Sequence, residues 1–330
     1  MAKTSLGIDV GNSRIKLVEM KGETLLKCVI EDVPENMVRN GEIIAFEAMA
    51  QFIKELVKKH RFGSKKVSFV VPDDAVYIRR LTLPAMSASQ LEVNLPYEFR
   101  DFIPGDKADF LFDYRMVELK QDEDGKITDM DLLAVAVSTE LMDKYAHMFK
   151  MAGLKLVEAL PECLALGNLL RTIRPEEQNN DYAVLDLGYV STRINMYNKG
   201  IFDLNREIET GVKHICDEVA DILAIDTHIA SHYLVQNKEH ILENERIIDE
   251  CNDIAISAMR AVNYYTYQKR DNTLEYMYVC GGGSALAPLV QSMANAIPLK
   301  LVYLKDFSDD HEMQEALQNA PAALGVLWNS

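Results

Sequence analysis

Apolar positions along the chain follow two periods, and the switches between them mark the elements. Leu6–Val10, Ile15–Met20 and Thr24–Val33 are short apolar or alternating runs separated by turn residues, which predicts three strands in succession. Phe46, Met49, Phe52, Ile53, Leu56 and Val57 recur at helical spacing, and lysines close the last turn, which predicts a helix from about Ala45. "KKVSFVVP" has the pattern of a buried strand stopped by Pro72. From Pro84 to about Met130 the texture changes. "SASQLEVNLPYEFRDFIP" is helical in period and interrupted by Pro96, "FLFDYRMVEL" alternates as a strand, and "KQDEDGKITDMD" is a charged turn. "LLAVAVS" predicts a further strand, and "TELMDKYAHMFKMAG" a helix capped at Gly153.

After the polar, proline-containing "RTIRPEEQNNDY" the opening pattern returns, with strands from Tyr182, Arg193 and Ile201. Helical segments follow in "VKHICDEVADILAI", "HIASHYLVQN" and "IDECNDIAISAMRAVNYYTYQKR". "EYMYVCGGGSALAPLVQSMANAI" is strand, glycine turn and helix; "PLKLVYL" is a last strand and "APAALGVLW" a short apolar helix. The return is literal in places. "LGIDVGNSRIKLVEM" and "VLDLGYVSTRINMYNKG" both run apolar, Asp, apolar, Gly, a short polar loop, then Arg-Ile and a second strand. The chain therefore divides as two copies, about 1–180 and 181–330, with an inserted subdomain at about 84–150 and a helical insertion at about 212–270.

Composition narrows the function classes. A 48% hydrophobic content supports a substantial core. The net charge of -16 argues against a nucleic-acid face or a polybasic membrane anchor. No apolar run approaches the roughly 18–20 residues of a membrane span, which implies no direct insertion. The five cysteines stand singly, without Cys-x-x-Cys, as expected of reduced thiols in the cytosol. His228 and His232 share a helix spacing but lack a third ligand for zinc.

The candidate chemistry lies in three glycine loops. A strand ending in Asp-x-Gly puts a carboxylate at its tip and lets a ligand approach the backbone. The loops Gly11-Asn12-Ser13 and Gly188 to Ser191 could each hold phosphate, with Asp9 and Asp186 flanking a magnesium ion through water. The third loop, Gly281-Gly282-Gly283-Ser284, turns a strand into a helix. It has neither the Gly-x-Gly-x-x-Gly spacing nor the Gly-Lys-Ser/Thr of a P-loop.

Three such elements in this order resemble the actin-like ATPase superfamily, which includes actin and the heat-shock chaperone ATPases. The resemblance covers nearly the whole chain. It implies an α/β actin-like fold, two duplicated RNase H-like domains around a nucleotide cleft, with an inserted subdomain in the first. "LGIDVGNSRIKLVEM", "LTLPAMSASQLEVNLPYEFRDFIP", "FKMAGLKLVEALPECLAL" and "ALGVLW" are most similar to the PilM-type proteins of type IV pilus assembly, with cell-division protein FtsA more distant. That resemblance implies ATP and Mg2+ as ligands. Gly11, Asn12, Ser13 and Lys16 would meet the phosphates from one side, and Gly188, Ser191 and Thr192 from the other. Gly281, Gly282, Gly283 and Ser284 would pass along the adenosine; Gly211 matches a family glycine, and Glu218 lies where a ribose contact is expected. Val212 replaces the second glycine of the family pair and Asn12 a commoner serine, which implies slow or absent hydrolysis.

The implied role is a cytoplasmic ATP-binding scaffold, peripheral to the inner membrane through a partner. That partner is the cytoplasmic tail of a PilN-like bitopic membrane protein, docking near Tyr97, Phe99 and Phe102 of the inserted subdomain. Self-association belongs to the same picture. The alternatives on this fold are an FtsA-like filament former and a small-molecule kinase; no aspartate here is marked as the base a kinase needs.

Overall fold

The computed structural model describes residues 4–39, 41–269 and 271–328. The first strands are β1 (Thr4–Val10), β2 (Arg14–Lys21) and β3 (Thr24–Asp32), an antiparallel meander. A two-residue pair, β4 (Val38–Arg39) and β5 (Glu42–Ile43), precedes α1 (Phe46–Lys59) and β6 (Lys66–Val71). Next come β7 (Val76–Pro84), α2 (Ala88–Glu98), β8 (Phe110–Gln121), β9 (Ile127–Ser138), α3 (Thr139–Met151), β10 (Lys155–Pro161) and α4 (Glu162–Ile173). The second copy is β11 (Tyr182–Leu187), β12 (Thr192–Asn198), β13 (Ile201–Ile208), α5 (Val212–Leu223), α6 (Thr227–Gln236) and α7 (Glu245–Gln268). It ends with β14 (Tyr276–Cys280), α8 (Ala287–Ala296), β15 (Lys300–Tyr303), α9 (His311–Asn319) and α10 (Pro321–Gly325).

The strands form two five-stranded sheets of one design, in the orders β3-β2-β1-β6-β10 and β13-β12-β11-β14-β15. In each, the first three strands are antiparallel and the last two run parallel to the first. Strands alternate their side chains between faces, so each sheet serves two cores. Leu6, Ile8, Phe69 and Phe149 lie in an outer core with α1 and α3. Ile194, Met196, Met277 and Val279 lie in another with α5, α7 and α8. Between the sheets, Val18, Leu166, Tyr182, Tyr197 and Ala323 build a shared core around α4 and α10. The C-terminal helix thus returns to the first copy. Gly7 and Gly325 permit this, since a Cβ on Gly325 would sit 2.0 Å from the Ala165 carbonyl oxygen and one on Gly7 2.1 Å from that of Ala323. Near the end of the range 181–330, α10 accordingly packs on β1 and α4; residues 329–330 lie outside the described residues.

The inserted unit is a three-stranded antiparallel sheet, β7-β9-β8, with α2 on one face. It begins at Val76 and ends at Ser138, earlier at both ends than the sequence-based bounds of 84 and 150. The sequence reading passed over β7. It also assigned α3 to the insertion, but Tyr145 and Phe149 of α3 pack on Phe69 of the first sheet, with ring centroids 4.8 and 5.2 Å away. α2 runs through Pro96 to Glu98, started by a capping box between Ser87 and Gln90.

Candidate functional site: two mirrored hairpins and a glycine turn

The β1–β2 and β11–β12 hairpins have the same register. Asp9 stands opposite Lys16, and Asp186 stands opposite Arg193. Four residues link the innermost pair in each: Gly11 to Arg14, and Gly188 to Ser191. The structural repeat therefore aligns Arg193 with Lys16 and not with Arg14, two residues away from the Arg-Ile match visible in the sequence.

Lys16 Nζ donates to Asp9 Oδ2 at 2.7 Å. Burial alone would lower its pKa, but Asp9, Asp186 and Glu162 more than offset that and raise it, so the ammonium stays charged. The Asp186 carboxyl is raised as well, which favours its neutral form: burial drives the rise, with Lys16 and Arg193 opposing and Asp9 adding to it. The third loop closes on it. Gly281 has φ +87°, and a Cβ there would lie 2.2 Å from Asp186 Oδ1. Only glycine allows this strand end and this turn to touch.

Several predicted ligands are already engaged. Asn12 Oδ1 accepts the Gly41 amide at 2.7 Å, which ties the first loop to the β4–β5 turn. Ser284 Oγ donates to the Gly281 carbonyl at 2.6 Å and accepts from Gln318 at 3.0 Å, so it holds the turn and is spent. Gly211 fits beneath the second loop, where a Cβ would meet the Gly188 and Tyr189 carbonyl oxygens at 2.7 Å. The first amides of α5, Val212 and Lys213, donate to those same carbonyls. Val212 packs against Gly283, filling the space that a second glycine would leave. Of the glycines expected to meet the nucleotide, Gly282 is the one that faces open space, with nothing within 4 Å of a Cβ.

Two expectations change. Thr192 lies on the strand face opposite to Arg193, with Ile194; it is 1% exposed and its hydroxyl has no partner among the described residues. Its side chain therefore turns from the cleft into the second core. Glu218 on α5 pairs with Arg246 of α7, which engages the carboxylate expected at the ribose.

The sequence reading missed the groups between the hairpins. Glu162, the first residue of α4, pairs with Arg193 at 2.6 Å. Burial raises its carboxyl, against the pull of Arg193. Asp73 accepts the Cys163 amide at 3.1 Å, which caps α4, and its other oxygen has no partner; burial raises this carboxyl too. Among the described residues, Asp9, Asp186, Glu162 and Asp73 thus share one region with two cations, Lys16 and Arg193. That imbalance favours a further cation. Among the described residues no three such side chains converge at ligating distance, so a divalent ion there would keep most of its waters.

A second feature lies apart from these loops. One face of the inserted sheet is covered by α2; the other roofs a cavity of about 450 Å³ floored by β10 and α4. Along β8, Phe110, Phe112 and Tyr114 face α2, whereas Leu111, Asp113 and Arg115 alternate into the cavity side. Phe99 is fully buried between α2 and the sheet, 5.4 Å from Phe112 by ring centroids, and cannot be a contact residue. Tyr97 and Phe102 are half-exposed, under Lys107 and Arg79 respectively, and neither lines this cavity.

The family model for type IV pilus assembly protein PilM matches residues 7–321. The chain belongs to the PilM family. Among solved structures, the PilM–PilN type IV pilus biogenesis complex is similar at TM-score 0.79 and 21% identity, covering 98% of this chain and 97% of that one. Ethanolamine utilization protein EutJ from Carboxydothermus hydrogenoformans follows at 0.61 and 16%, with 98% and 90% covered. MreB5 of Spiroplasma citri bound to ADP matches at 0.52 and 10%, with 98% and 95% covered. Comparison with curated proteins gave no match. These likenesses establish the actin-like ATPase fold, α/β with duplicated RNase H-like sheets. No helix among the described residues is long and apolar enough to cross a membrane.

Proposed function

We propose that this PilM-family protein is a nucleotide-binding scaffold of a type IV pilus assembly platform, coupling Mg2+-ATP in the cleft to a membrane partner in the cavity. The partner is the apolar cytoplasmic tail of a PilN-like bitopic membrane protein. The observation that carries this reading is the uncovered apolar face of the inserted sheet. A sheet apolar on both sides must be covered on both, and here Leu111, Val135 and Val137 meet a gap instead of a helix. An extended tail fits a gap of that shape, and the PilN partner in the similar PilM–PilN complex supports its identity. The site lies on the other face of the inserted sheet from the one that Phe99 occupies.

For the nucleotide, the support is Asp9, Lys16 and Asp186 gathered against the Gly281 turn, with excess negative charge for magnesium. Hydrolysis is slow in this reading, because Val212 stands in place of the family's second glycine against Gly283 and Asn12 is engaged by the Gly41 amide. The test is calorimetry with the cytoplasmic tail peptide of a PilN-like protein. Leu111→Glu, at a position 49% exposed and so tolerant of charge, should abolish binding while ATP affinity stays unchanged. Full tail affinity in a folded Leu111→Glu variant would place the interface elsewhere.

A further inference from the structure

Arg193 is the structural counterpart of Lys16. Each is the residue directly across the hairpin from its loop's aspartate, and each is drawn toward the same cluster of carboxylates. Arg193 reaches across the cleft. It pairs with Glu162 at 2.6 Å and with Asp74 at 3.6 Å, both from the first copy, and with Glu207 of its own sheet at 3.4 Å. Its Nη2 would be 3.9 Å from a Cβ on Gly41, the residue whose amide Asn12 of the first loop holds. The guanidinium therefore stands beside the first loop although it is carried by the strand after the second. Its side chain is 18% exposed, so it is sheltered but reachable from the cleft.

We propose that Arg193 is a second phosphate-binding cation, paired with Lys16 across the pseudo-twofold and held by Glu162 and Asp74 until nucleotide arrives. This rests on the nucleotide reading given above and specifies how the triphosphate is gripped. Two hairpins with the same register present a cation at the same place, so a polyphosphate lying between them is met from both sides. Arginine suits this position because its planar fork binds phosphate oxygens in pairs. The exchange also has a structural consequence. Asp74 belongs to the short turn Asp73–Ala75, from which β7 leaves, and Val76 at the start of β7 lines the cavity. Withdrawing Arg193 from Asp74 loosens the root of the inserted sheet, so phosphate in the cleft is felt where the partner docks.

The experiment is a fluorescence titration of ATP, ADP and AMP in the presence of Mg2+, on wild type, Arg193→Gln and Arg193→Lys, with thermal melts to check folding. Arg193→Gln should lose about 10-fold or more in ATP affinity, on the order of 1.4 kcal/mol, and little for AMP. Arg193→Lys should recover part of the loss. A folded Arg193→Gln with wild-type ATP affinity, or with equal losses for ATP and AMP, overturns the proposal while nucleotide binding stands. A wild type that binds none of the three nucleotides overturns both.

Discussion

Replacing Gly281 by alanine is the sharpest test of how the three loops hold together. Two costs add. The backbone sits at φ +87° and ψ 160°, a region occupied almost only by glycine, which for another residue costs about 1–3 kcal/mol. The new methyl would also lie 2.2 Å from Asp186 Oδ1, 2.6 Å from the Leu187 carbonyl oxygen and 2.8 Å from its carbon. The carboxylate could rotate, but the Leu187 atoms are backbone at the end of β11, so relief requires the strand and turn to part. Overpacking of this kind costs about 1–3 kcal/mol, for a total on the order of 2–6 kcal/mol. Gly282→Ala is the internal control, because nothing lies within 4 Å of its Cβ and its φ is not positive. Urea unfolding of both variants, followed by fluorescence, gives the comparison. Gly281→Ala should shift the midpoint strongly downward and Gly282→Ala by little. Equal stability of the two would refute the argument that the turn and Asp186 are in forced contact.

Gly325→Ala should also destabilise by several kcal/mol, since its Cβ would strike the Ala165 backbone and part α10 from α4; a melt within a degree of wild type would contradict the packing. The nucleotide-free protein should lose stability as pH rises above the ordinary carboxylate range near 4. Burial raises Asp186, Glu162 and Asp73 in the folded state, so the folded form keeps protons there that the unfolded chain has released. Asp186→Asn should flatten that slope, and a wild-type stability that climbs over the same range would be the wrong sign. Phe99→Ala should lower the melting temperature, being a fully buried aromatic worth about 3–5 kcal/mol, whereas Phe102→Ala, half-exposed, should be mild; parity between them would show that Phe99 is not core.

What the sequence made visible was whatever is local. The three glycine loops, the duplicated meander and the inserted block announce themselves through turn residues and period, and the structure places the loops at corresponding strand ends. Gly281 could be read as a turn glycine, but not as the residue that lets Asp186 approach, because that contact spans two strands. β7 went unseen because its apolar positions, Tyr77, Ile78, Leu81 and Leu83, serve two cores and blur the alternation. The aromatic run Tyr97–Phe102 looked like a surface because its helix is short and proline-containing; only the sheet beneath it turns Phe99 inward.

Arg193 shows why the remainder was hidden. In the sequence it follows the wrong template, since Arg193-Ile194 matches Arg14-Ile15 letter for letter. Strand pairing settles the equivalence differently, because a cross-strand partner is fixed by the number of residues in the hairpin and not by their identity. Counting from each aspartate instead of matching letters would have put Arg193 over Lys16. The same counting explains the contrast with Thr192. One step along a strand reverses the face, so the residue that looks like a phosphate ligand by type is buried, and its neighbour, which looks like a surface arginine, stands in the cleft against Glu162. A duplicated fold keeps its geometry more faithfully than its residues, and in this chain the chemistry of the second copy follows the geometry.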